Sequence, residues 1–357
     1  MNLLLAPFAA AYGCASSARS MAYQQGWLKA RRLSRPVISV GNLTAGGTGK
    51  TPLVALIAKL LLKRGLKPVI LTRGYGRAPG PPLIALDAAP GRAPDPRQVG
   101  DEPALLAAEL PEVPIVVSAS RFQGGRYAEE HFQIDAHLLD DGFQHQQLAR
   151  QIDVVALDVT QPLSDRAIIP AGRQRERCSA LKRARLVALT RTEQAGLAGQ
   201  ADVADVADGA NGVDLAPFER RVREINPQAQ IFPCRTKLSG WLSVAGGRRL
   251  PADFPAGRDV YAFCGIGNPQ AFFRDLGRWG LAPAGTRVFP DHHVYTNAEI
   301  ARLAVAARET GATLVTTEKD VMNLPADWRQ TLPAFACLIE AEILEASAFE
   351  KSLLEAL

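Results

Sequence analysis

Val40-Gly-Asn-Leu-Thr-Ala-Gly-Gly-Thr-Gly-Lys-Thr-Pro52 is the stretch on which the fold turns. Its core, Thr44-Ala-Gly-Gly-Thr-Gly-Lys-Thr51, matches the last three positions of the G-x-x-x-x-G-K-[ST] phosphate-loop pattern and puts Thr44 where the first Gly is expected. The physics tolerates that departure. Gly46, Gly47 and Gly49 let backbone N–H groups turn inward as an anion nest, with Ala45 and Thr48 between them. A helix starting near Lys50 aims its positive end at the same point. Lys50 adds a point charge for the β- and γ-phosphates of ATP, and the Thr51 hydroxyl is a ligand for Mg²⁺.

The flanks supply the context the loop requires. Upstream, Arg35-Pro-Val-Ile-Ser-Val-Gly41 reads as a buried strand. Downstream, Leu53, Leu56, Ile57, Leu60 and Leu61 recur at helical spacing from Pro52 to Arg64, with Gly65 as the stop. Lys67 to Thr72 is the next strand, which completes a βαβ unit. The alternation continues with strands at Pro114–Ser118, Ala136–Asp140, Ile152–Asp158 and Leu186–Thr190, and a helix at Arg121–His131. That pattern implies a mostly parallel sheet covered on both faces. A second α/β unit follows. It has strands at Val260–Cys264, Thr286–Phe289, Ala312–Thr316 and Ala334–Glu340, a helix capped by Asn297 running to Glu309, and a terminal helix at Glu345–Leu357. Ala78–Val99 reads as one long loop, and Glu193–Gly212 as a helix or a loosely held insertion. With 357 residues, about two domains are expected. The boundaries drawn are an N-terminal segment over 1–33, a P-loop kinase domain over 34–233, a hinge over 234–258 with two short strands around Gly246-Gly247, and a smaller α/β domain over 259–357.

Composition sets the class. At 47% hydrophobic and 22% charged residues, there is ample apolar material for a core. The net charge of +5 suits nucleic acid, an anionic lipid surface or a phosphate-bearing substrate. The five cysteines, an odd number without a Cys-x-x-Cys pair, argue against a disulfide framework or a zinc site. The N-terminal apolar run from Leu3 to Ala15 is shorter than the roughly 20 residues that span a bilayer. Tyr12, Tyr23 and Trp27 follow or interleave with Arg19, Lys29, Arg31 and Arg32, which suits either an interfacial helix or one docked on the domain.

The remaining polar residues form separate clusters. Asp140-Asp141 closes a strand, and one of the two is expected near the metal. A kinase also orients an acceptor hydroxyl and takes its proton. Gly100-Asp101-Glu102-Pro103, at a helix start, and Phe289-Pro-Asp291-His292-His293, in a loop, are the two places offering such groups. Helix capping is the alternative role for the first, and a His pair such as the second is more often surface or structural than catalytic.

Together these strings resemble the tetraacyldisaccharide 4′-kinase family, the lipid A 4′-kinases. The resemblance is carried by the opening stretch, Arg73-Gly-Tyr-Gly76, Gly100-Asp-Glu-Pro103, Asp140-Asp-Gly-Phe-Gln-His145, Pro170-Ala-Gly172 with Arg175-Glu176, and Phe289-Pro-Asp-His-His293, in order across residues 35–320. In this family Thr at position 44 is usual. The resemblance implies two α/β/α domains joined by a hinge, with the active site in the cleft between them. It implies phosphorylation of the 4′-hydroxyl of a lipid-linked glucosamine disaccharide with ATP and Mg²⁺, at the cytoplasmic face of the bacterial inner membrane. It implies Asp101 as catalytic base paired with His292, and Lys50 on the transferred phosphate. Glu102, Asp140 and Asp141 would surround the metal, and Tyr75, Arg121, Arg175 and Glu176 the donor and acceptor. The N-terminal segment would attach the enzyme to an anionic membrane surface, and no nucleic-acid partner is expected. Arg173 and Gln174, where Pro and Leu or Met are common, and Phe143 in place of Leu are departures. A membrane-associated P-loop ATPase switch is the competing reading; it needs neither the Asp101–His292 pair nor a second domain.

Overall fold

The computed structural model describes residues 5–87, 94–161, 163, 168–194, 214–255 and 258–357. The strands are β1 (Val37–Asn42), β2 (Pro68–Thr72), β3 (Leu83–Leu86), β4 (Ile115–Ser118), β5 (Ala136–Leu139), β6 (Ile152–Asp158), β7 (Leu186–Thr190), β8 (Gln230–Ser243), β9 (Arg249–Leu250), β10 (Val260–Cys264), β11 (Pro283–Val288), β12 (Thr313–Thr317) and β13 (Ala334–Ile343). The helices are α1 (Ala6–Gln24), α2 (Lys50–Lys63), α3 (Pro96–Val99), α4 (Asp101–Glu109), α5 (Arg121–His131), α6 (Ala216–Ile225), α7 (Pro269–Arg278), α8 (Asn297–Glu309), α9 (Glu318–Met322), α10 (Ala326–Thr331) and α11 (Ala346–Leu354).

All the strands belong to one mixed sheet in the order β11-β10-β12-β13-β8-β7-β6-β1-β5-β2-β4-β3, with β9 paired to β8. β1 is buried along its whole length and pairs in parallel with β5 and β6. A strand covered on both faces reads as a continuous apolar run, which is why it was legible. α2 buries Leu53, Val54, Ile57 and Leu61 against this part of the sheet.

The 14-residue β8 joins the two halves. Its first residues, Gln230–Pro233, run parallel to β7, and Cys234–Ser243 then pair antiparallel with β13. Residues 234–258, expected as a hinge, thus begin as a strand hydrogen-bonded into the sheet and turn back through β9. The C-terminal helix crosses over as well. Phe349 and Leu353 of α11 lie in the core built around α2, and Arg64, the C-cap of α2, pairs with Glu350 at 2.7 Å.

Three local expectations need correction. The stretch 78–99 is not one loop: β3 pairs antiparallel with β4, and α3 follows. β3 is a half-buried edge strand behind Pro81-Pro82, so it lacks the fully apolar signature of the central strands. The cap of α8 is Thr296, not Asn297; its Oγ1 accepts from Glu299 N while the Glu299 carboxylate accepts from Thr296 N, a reciprocal capping box. β11 begins at Pro283, three residues ahead of the expected Thr286. Of the 193–212 stretch, residues 195–212 lie outside the described residues.

α1 is held on the surface along one stripe. Ala9 and Gly13 are buried, a Cβ on Gly13 would lie 3.1 Å from Ile168 Cδ1, and Ser20 accepts from Arg183 Nη1 at 3.0 Å. The rest of the helix and the chain after it expose Phe8, Tyr12, Met21, Trp27 and Leu28. One face of the helix is thus docked, and the other is apolar and uncovered. Among the described residues no helix is long and apolar enough to cross a membrane.

Candidate active site

The carboxyl ends of β1, β2, β5 and β7 in one half, and of β10, β11 and β12 in the other, open onto one cleft of about 1050 Å³. Open parallel sheets place ligands at this end because the strand-to-helix loops gather there.

The loop after β1 is cross-braced. Asn42 Nδ2 donates to Thr44 O at 2.6 Å and to Thr48 Oγ1 at 2.8 Å. Thr190 Oγ1 at the end of β7 donates to Thr48 O at 2.9 Å, and Ala45 N donates to Arg173 O at 2.6 Å. Gly49, with φ +81°, is the N-cap of α2, so the free amides of that helix start face the cleft alongside Lys50 and Thr51.

Two carboxylates follow β5. Asp140 is buried, and its Oδ2 accepts from Thr72 Oγ1 at 3.1 Å. Burial first, then the charges of Glu102 and Asp141, push its carboxyl up to about 7. Asp141 sits at φ 51° and accepts from Arg175 Nη1 with both carboxylate oxygens, at 2.8 and 2.6 Å; Lys50 Nζ lies 3.5 Å away. Burial would raise it, but the charges of Lys50, Arg175 and Arg121 outweigh that and hold it below the ordinary carboxylate range. Arg121 is buried at the start of α5, and burial draws its guanidinium down to about 10 despite both aspartates.

A second cluster joins the two halves. His292 Nδ1 is 2.8 Å from Asp101 Oδ2, and Asn323 Nδ2 donates to the same oxygen at 3.3 Å. The Tyr75 ring lies 5.2 Å from the imidazole, centroid to centroid. Burial raises Asp101, but the His292 bond, the Lys319 charge and Asn323 together leave it below its usual value. His292 is raised, by the Asp101 bond first, against burial and Lys319.

Of the expected site residues, Ala45 to Thr51, Tyr75, Glu102, Arg121, Asp140, Asp141, Arg175 and His292 line this one cleft. Asp101 stands beside it, in contact with His292, and Thr44 bridges to Gln174 next to the loop. Glu176 is placed differently: it is buried in an ion pair with Arg183 at 2.6 Å, and Arg183 packs over Phe143 and holds Ser20 of α1.

Lys319 was not read from the sequence. Its Nζ lies 3.2 Å from Asp291 Oδ1 and from His292 Nε2, and 3.9 Å from Asp101 and Glu102. The available signal was its position just past β12, where the carboxyl end of a parallel strand faces ligand. It is masked by a Thr-Glu-Lys-Asp string that is an ordinary helix start, with Thr317 capping α9.

The tetraacyldisaccharide-1-P 4′-kinase family, LpxK, matches residues 1–357. The chain belongs to that family. A tetraacyldisaccharide 4′-kinase of Geobacter metallireducens is 36% identical over 98% of this chain and 96% of its own length. One from Koribacter versatilis is 36% identical over 96% and 95%. Among solved structures, LpxK from Aquifex aeolicus in complex with ATP superposes with a TM-score of 0.72 at 27% identity, covering 99% of this chain and 98% of that one. Members of the tetraacyldisaccharide 4′-kinase family are kinases, and the mixed α/β sheet of this chain is the LpxK fold.

Proposed function

We propose that this chain, an ATP-dependent kinase acting on a lipid A precursor, transfers the γ-phosphate of ATP to the 4′-hydroxyl of a tetraacyldisaccharide 1-phosphate, with Asp101 as the base. The observation that carries this assignment is the Asp101–His292 pair, whose imidazole lines the same cleft as Lys50 and the glycine-rich loop.

The loop works as a P-loop. Its inward amides and the start of α2 bind the phosphate chain, and Lys50 balances charge on the phosphate in transit. Asp101, kept ionised by its neighbours, accepts the proton of the attacking sugar hydroxyl, and His292 orients the carboxylate.

The carboxylates fit Mg²⁺. Asp140 is a buried acid crowded by Glu102 and Asp141, an arrangement that a hard cation would relieve. Asp140, Asp141, Glu102 and the Thr51 hydroxyl are the groups that would hold it. When bound, it supplies charge neutralisation and alignment of the phosphates.

The exposed apolar face of α1 supports attachment to a membrane surface, which on the family reading is the cytoplasmic face of the inner membrane. Phe8, Tyr12 and Met21 enter the interface while Lys29, Arg31 and Arg32 meet anionic headgroups. The acyl chains then stay in the bilayer, and only the sugar reaches the cleft. Mass spectrometry of the disaccharide lipid after incubation with enzyme and Mg-ATP tests the reading. A gain of one phosphate on the distal sugar is the expected product, and acceptor-independent ATP hydrolysis without that product would overturn it.

A further inference from the structure

Arg173 departs from the family string, in which Pro is common at this position. Its backbone is locked beside the glycine-rich loop: its carbonyl accepts from Ala45 N, and the flanking Gln174 and Arg175 bridge to Thr44 and Leu43. Its exposed side chain then folds back over that loop. Nε donates to Ala45 O at 3.1 Å, and Nη2 donates to Gly267 O at 2.6 Å. Gly267 belongs to the turn after β10, in the other half of the molecule. That turn rests directly on the loop: a Cβ on Gly267 would lie 2.6 Å from Gly47 N, 2.7 Å from Gly46 Cα and 3.0 Å from Asp291 Oδ2. A Cβ on Gly46 would run into the Arg173 guanidinium itself. The guanidinium therefore lies between the loop and the Gly267 turn, next to Gly46 and Gly267, which line the cleft together with Asp291 and His292.

We propose that Arg173 distinguishes a nucleoside triphosphate from a diphosphate, its guanidinium exchanging the Ala45 and Gly267 carbonyls for oxygens of the terminal phosphate. Two neutral carbonyls engage only two of its five N–H donors. A phosphate offers the same planar fork a bidentate anionic partner, with hydrogen bonds roughly twice as strong. The exchange also breaks the only side-chain bond from residues 168–176 to the turn of the other half recorded among the described residues. The inference rests on the kinase reading of the loop.

The test uses the full-length protein in detergent, with Mg²⁺. ATP and ADP each displace a fluorescent ATP analogue from wild type, Arg173→Leu and Arg173→Lys, and melting temperatures are read on the same samples. In Arg173→Leu the affinity for ATP should fall roughly tenfold or more, the loss of a charge-assisted hydrogen bond, while ADP affinity stays within about twofold. Arg173→Lys keeps a charge without the fork, so a smaller loss, still confined to ATP, is expected, and this variant decides if Arg173→Leu does not fold. Equal losses for ATP and ADP, or no loss for either, would overturn the inference. A wild-type protein that binds neither nucleotide would instead overturn the kinase reading.

Discussion

His292 Nδ1 and Asp101 Oδ2 lie 2.8 Å apart although 191 residues separate them in the chain. One belongs to the loop after β11 and the other to the start of α4, so the pair exists only while the two halves of the sheet are in register. Replacing Asp101 with Ala should cut phosphoryl transfer roughly 10²–10⁴-fold, the usual contribution of general-base catalysis, and leave ATP binding within about threefold. Single-turnover assays set beside nucleotide titration separate the two effects, and loss of nucleotide binding would contradict the role.

His292→Ala removes the hydrogen bond that does most to offset the effect of burial on Asp101. The carboxyl must then move up, and the acid limb of the kcat/KM profile should move to higher pH. The same pair contributes to stability over a defined window. The share due to the depressed Asp101 is present above its unfolded value of 3.8 and is lost as pH falls through the folded one. The share due to the raised His292 is present below 6.5 and is lost as pH rises through its folded value. Urea midpoints measured from pH 3 to 9, wild type against His292→Ala, read both limbs.

Asp140 predicts a pH-dependent demand for Mg²⁺. A carboxyl pushed up to about 7 must lose its proton before it can hold a cation. The half-saturating Mg²⁺ concentration for activity should therefore rise as pH falls from 8 through 7 to 6, and Asp140→Asn should flatten that dependence while cutting the rate. An Mg²⁺ requirement independent of pH would remove Asp140 from the metal's shell.

Arg183 ties the N-terminal helix to the core. It pairs with the buried Glu176, covers Phe143 at 4.3 Å and donates to Ser20. Arg183→Ala leaves the Glu176 carboxylate buried without its partner, which costs about 3 kcal/mol. Denaturant unfolding should show that loss, and limited proteolysis should cut within α1 earlier than in wild type.

The outer face of α1 makes an independent prediction. Phe8→Asp combined with Met21→Asp changes two exposed residues, so the melting temperature should hold. Co-sedimentation with vesicles containing anionic lipid should fall by roughly tenfold or more as the apolar contact with the interface is lost. Retained vesicle binding would place membrane attachment elsewhere.

The sequence by itself determined whatever is written in consecutive residues. Gly46 to Thr51 specify a strand–loop–helix turn, because backbone freedom and a helix start are local properties. The buried strands β1, β6, β7 and β10 announce themselves as short apolar runs bounded by turn residues. The family strings carried Asp101, Asp140, Asp141 and His292 as candidates, although nothing in their own spacing showed that they meet.

Only the tertiary structure decided which of them share a cleft. Lys319 reaches His292, Arg173 crosses to Gly267, and Glu176 turns to Arg183 because of where the strands deliver their ends. β8 explains how the ends come to face one another: it runs parallel to β7 and antiparallel to β13, so two half-sheets that are each locally predictable become one. Strand register is a pairing between distant segments, and side-chain ion pairs across it depend on three-dimensional distance, which a one-dimensional pattern does not contain.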